Sequence, residues 1–125
     1  MSNRTKLQDI IDRLTRAINM NKVEMAYIGN NINRHLNKEE LLFYLLEDTL
    51  KELITLDALS MSTRTIDIVI NVQTLLEEVV FNNHYETMIG KLKVTKLSFF
   101  VMITTFTIHQ LNAVLKEDYF EIKSN

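Results

Sequence analysis

Apolar residues recur along this chain at the three- and four-residue spacing of helices, and no strand is expected. Leu7, Ile10, Ile11, Leu14, Ala17 and Ile18 make one face of a helix predicted over 3–19, with Lys6, Asp9, Asp12, Arg13 and Arg16 opposite. Asn21 with Glu24 has the spacing of a capping box and starts a second helix near Lys22. That helix is predicted over 22–36, with Met25, Ile28, Ile32 and Leu36 on its apolar face and His35 at the edge. Gly29 on the same face marks the end of a shorter helix, a close approach of another backbone, or room for a ligand. Asn37 with Glu40 repeats the capping signal ahead of a helix over 38–56, whose stripe is Leu42, Leu45, Leu46, Thr49, Leu50 and Leu53. Ser62 or Thr63 caps the next, which reaches about Phe81. It has two apolar faces, Ile66, Val69, Ile70 and Leu76 on one and Ile68, Val72, Leu75 and Val79 on the other, and so needs two packing partners. After an Asn82-Asn83 turn, Tyr85, Met88, Ile89 and Leu92 form a short amphipathic piece.

The segment 97–115 differs in kind: nineteen residues pass without Asp, Glu, Lys or Arg. Leu97, Phe100, Val101, Thr104, Ile108, Leu111 and Leu115 form one predicted face, and Phe99, Met102, Ile103, Phe106 and Val114 lie off it. A helix apolar nearly all round is covered on most sides. Its strictly apolar run ends at Ile108, followed by His109, Gln110 and Asn112, which falls short of the ~20 residues of a membrane span. The expectation is therefore core on one face and a subunit interface or ligand cavity on the other, with no membrane span. The polar tail after Leu115 is expected to fray.

Composition narrows the classes. The 125 residues, 46% of them hydrophobic, make a single domain over 1–125 with an ordered core of about 3–118. Without Cys there is no disulfide framework, thiolate metal site or cysteine nucleophile. A net charge of −2 argues against a nucleic-acid partner, which calls for clustered Lys and Arg. The N-terminal residues lack the apolar run of a signal peptide, consistent with a cytoplasmic location. The chain contains no phosphate-binding glycine loop, no GxSxG and no HExxH, and His35, His84 and His109 lack metal-ligand spacing. No metal site and no enzymatic activity are expected. Two polar residues stand out. His35 is either a boundary histidine bonded to backbone or a polar group at the mouth of an apolar pocket. Arg64, in the first turn of its helix, is either solvated or an anion contact beside free N–H groups.

The helical order, with the runs NRHLNKEELLFYLLEDTLKELI, STRTIDIVINVQTLLEEVV and VTKLSFFVMITTF, resembles the plasmid-borne sporulation-inhibitory sensor-domain proteins of Bacillus. The likeness spans about residues 3–118. It implies an all-α, globin-like domain of five to six helices without heme, and 38–62 indeed offers no His for a proximal ligand. It further implies a homodimer built from the 63–81 helix and the last one, with a fatty acid in an apolar tunnel and a chloride nearby. Candidate lining residues are Ile28, Ile32, Leu46, Leu50, Ile66, Ile70, Met102, Ile103 and Phe106, with His35 at the polar end and His35 and Arg64 as anion candidates. The implied activity is inhibition of sporulation by titrating the signal of a sporulation histidine kinase. The alternative is a helical interaction module that docks directly on a kinase or another helical partner.

Overall fold

Among the described residues, four of the five α-helices start where a short polar side chain takes up a free backbone N–H, and the short one preceded by His84 does not. In the computed structural model, which describes residues 2–20, 36–82 and 84–124 (side chains as far as Lys116), these starts coincide with the Ser, Asn and Thr residues of the sequence. Ser2 caps α1 (Asn3–Asn19), its Oγ accepting from the Thr5 N–H at 3.1 Å. Asn37 caps α2 (Lys38–Ile54) with a complete capping box. Its Oδ1 accepts from Glu40 N at 2.8 Å, and Glu40 Oε1 accepts from Asn37 N at 3.2 Å. A single 3₁₀ turn, Ala58–Ser60, leads to α3 (Thr63–Val80), capped by Ser62. The short α4 (Tyr85–Leu92) is followed by α5 (Lys96–Ser124), where Thr95 Oγ1 accepts from Ser98 N at 3.0 Å. Among the described residues there is no strand. Of the predicted 22–36 helix, residues 22–35 with the Asn21 cap, Ile28, Gly29, Ile32 and His35 lie outside them; Leu36, its last residue, is buried and not helical.

Side-chain contacts fix how the helices run. Lys6 Nζ donates to the Thr55 carbonyl at 3.3 Å and Lys38 Nζ to the Ile18 carbonyl at 2.6 Å, so α1 and α2 are antiparallel. Between those ends Arg13 pairs with Glu52. Near the start of α2, Phe43 meets Phe100 near the start of α5 at 5.9 Å between ring centroids, so these two run the same way. α1 and α3 each pack against both α2 and α5, which makes α2 and α5 the inner pair. Leu42, Leu46, Leu50 and Leu53 of α2 are shut in the core with Leu7, Ile10 and Leu14 of α1, Val72 and Leu76 of α3, and Phe99, Phe100, Leu111 and Val114 of α5.

α5 departs from the sequence expectation at its end and on its faces. α5 does not stop near Leu115 but continues to Ser124. A drop in hydrophobicity does not end a helix, and the tail has no Gly or Pro to break it. Leu97, expected on the core face, is exposed in the first turn of the helix. Phe99 and Val114, expected off that face, are buried.

At the end of α4, Lys93 adopts a left-handed conformation (φ 56°), the helix-terminating geometry usually given to Gly. Gly90 instead lies within the helix, with negative φ and nothing within 4 Å of where a Cβ would sit. Gly90→Ala is therefore expected to stabilise the protein by about 0.5–1 kcal/mol. The check is a rise in urea midpoint at unchanged slope; a lower midpoint would show that α4 needs the glycine.

Candidate interaction surface

Helices α3 and α5 bury three threonines, Thr65, Thr104 and Thr107, while leaving three large apolar residues, Ile70, Met102 and Phe106, about half exposed. On α3 the buried stripe is Thr65, Val69, Val72, Leu76 and Val79, at the alternating four- and three-residue spacing of a core seam. Thr65 can be buried because it is part of the cap: its N–H donates to Ser62 Oγ and the two hydroxyls lie 2.9 Å apart. On α5, Thr104 and Thr107 are fully buried. Each returns its hydroxyl hydrogen to its own helix, Thr104 Oγ1 to the Phe100 carbonyl at 2.7 Å and Thr107 Oγ1 to the Ile103 carbonyl at 2.9 Å. Thr49 on α2 does the same to Leu45 at 2.7 Å. No buried side-chain polar atom among the described residues lacks a partner.

With the threonines inside, Ile70 on α3 is 49% exposed, and Met102 and Phe106, one turn apart on α5, are 50% and 45% exposed. The expected lining set is thus divided. Leu46 and Leu50 are completely buried core residues, Ile66 and Ile103 are half-buried, and Ile70, Met102 and Phe106 do not point inward. Ile28, Ile32 and His35 lie outside the described residues. Arg64 is exposed in the first turn of α3.

A feature absent from the sequence expectation is a half-open groove of about 190 Å³ where α2, α4 and α5 meet. Its wall is aromatic: Phe100 packs on Tyr85 at 5.4 Å between centroids and edge-on against Phe43. Lys96 Nζ lies 5.5 Å from the centre of the Tyr85 ring, a cation–π contact, and Glu39 and Glu40 line the same groove. Sequence spacing within one helix carries no sign of it, because its residues come from three different elements. The acidic and histidine side chains show no metal-holding group among the described residues; His84 pairs with Glu78. The stretch Lys96–Lys116 of α5 is long and apolar enough to cross a membrane by length and composition alone, and a third of it is buried in the bundle.

Comparison of the chain with protein-family models, with curated proteins and with solved structures finds no match. The likeness to sporulation-inhibitory sensor domains therefore rests on the sequence runs quoted above.

Proposed function

We propose that this chain is a non-enzymatic helical module that works by association, as a homodimer whose interface is built from the outer faces of α3 and α5. The observation that carries this reading is the inversion just described. A free-standing bundle gains nothing by burying Thr65, Thr104 and Thr107 while leaving Ile70, Met102 and Phe106 half in water. A protomer that meets a second copy does gain, since burying a large apolar side chain is worth about 1.5–3 kcal/mol. Two-fold pairing is the commonest way to cover such a face. In the globin-like order that the sequence resemblance implies, α3 and α5 take the places of the long helix pair through which sensor globins dimerise. In the setting of that resemblance, the module would act cytoplasmically on a sporulation histidine kinase, with α5 as a bundle helix and not a membrane span.

A second reading is favoured by the same incomplete burial. Apolar surface at Ile66, Ile70, Met102, Ile103 and Phe106 can also be covered by an acyl chain, as in a sensor domain that binds a fatty acid, with an anion such as chloride beside it, and titrates a kinase's lipid signal. Two measurements on the purified protein separate the readings. Light scattering at micromolar concentration is expected to give twice the chain mass, and a stable monomer would remove the dimer. Mass spectrometry of an organic extract is expected to show no stoichiometric lipid. A bound fatty acid whose removal lowers the melting temperature would replace the association reading with the lipid-binding one.

A further inference from the structure

Between Glu86 and Glu117 the chain has four lysines and no acidic residue. The other ten basic and sixteen acidic residues give the rest of the chain a charge of −6, so the overall −2 conceals a strong separation of charge. Three of the four lysines, Lys91, Lys93 and Lys96, fall within six residues at the corner where α4 gives way to α5, and all are exposed. None of them takes part in an ion pair among the described residues. Interleaved with them are Leu92, 55% exposed, and Leu97. Val94 between them is half-buried against the core and pins the corner to the bundle. The turn itself carries Lys93 at a positive φ, where Gly would be unstrained, while Gly90 occupies a helix interior that would accept Ala. Stability alone would favour the opposite arrangement. Nearby acidic groups are few: Glu86 in the first turn of α4, and Glu39 and Glu40 across the groove from Lys96. Glu40 is committed to the cap of α2.

We propose that this corner is a contact site for an anionic lipid surface. Exposed cations alternating with exposed aliphatic side chains suit a bilayer, where ammonium groups meet headgroup charge and leucines enter the acyl boundary. An acidic protein segment or a nucleic acid would use the lysines and leave the leucines without a role. With three lysines and two leucines the contact is reversible, as stable anchoring takes stronger or paired signals. It involves none of Ile70, Met102 and Phe106 and holds for monomer and dimer alike.

The test is co-sedimentation of the full chain with vesicles of phosphatidylcholine alone and of phosphatidylcholine with 30% phosphatidylglycerol (a composition of roughly the anionic content that attracts polybasic segments). Binding is expected on the anionic vesicles at low salt, with none on the neutral ones and most of it lost at high salt. Replacing Lys91 and Lys93 together by Gln is expected to weaken it about 25-fold, each lysine being worth about fivefold. Leu92→Gln is expected to weaken it as well, with circular dichroism unchanged in both variants. Failure of the parent protein to sediment with anionic vesicles at low salt overturns the proposal. So does binding that is indifferent to the double lysine substitution. Equal binding to polyglutamate or duplex DNA with Leu92→Gln silent would also overturn it, reducing the corner to a general anion patch.

Discussion

Phe100→Ala is expected to lower the unfolding free energy by about 3–5 kcal/mol, the usual range for removing a buried phenylalanine. Phe100 has no exposed surface and stands where three elements meet, with ring centroids 5.9 Å from Phe43, 5.4 Å from Tyr85 and 5.8 Å from Phe99. Each well-placed aromatic pair adds about 0.5–1.5 kcal/mol beyond the area it buries. Against a total margin of about 5–15 kcal/mol for a domain, one substitution removes a large part of the stability. Urea unfolding followed by far-ultraviolet circular dichroism measures this directly. A loss below about 1 kcal/mol would mean the cavity collapses and that the aromatic wall is not what holds α4 and α5 onto α2.

The second large effect falls on assembly and not on folding. Met102→Glu combined with Phe106→Glu is expected to raise the dimer dissociation constant at least about 100-fold, because an unpaired charge carried into an interface costs about 3–5 kcal/mol. Both positions are about half exposed in the protomer, so the variant should melt as a folded, helical monomer. Light scattering read beside a thermal melt separates the outcomes. A variant that remains dimeric places the interface elsewhere; one that unfolds shows that these side chains belong to the protomer's own core.

Much of this architecture could be read in the residues. The 3–19 helix, the Asn37 cap, the start of α3 at Ser62 or Thr63 and the leucine stripe of α2 were legible because cap chemistry and a clean apolar period pointed the same way. The orientation of α3 was not. Its sequence offers two apolar faces, and the core takes Val69 and Leu76 from one and Val72 and Val79 from the other, together with Thr65, whereas Ile66 and Ile70, read as inward, are not buried. A threonine that bonds within its own helix is nearly apolar to its neighbours, and hydropathy does not register that. On α5 the same effect hid Thr107 and misplaced Phe106. The aromatic groove was illegible for a different reason: Phe43, Tyr85 and Phe100 come together only through tertiary packing.

Because Thr104 and Thr107 satisfy their hydroxyls on carbonyls of their own helix, they show neighbours only methyl groups and demand no polar partner in return. α5 is in this sense hydrogen-bond autonomous at both positions. A change in what lies against them breaks no polar link there and leaves no orphaned donor, so only shape resists it. The helix is thereby portable: sliding, tilting or exchanging one apolar neighbour for another is opposed by packing alone. That is the kind of element from which a two-state signalling switch can be made.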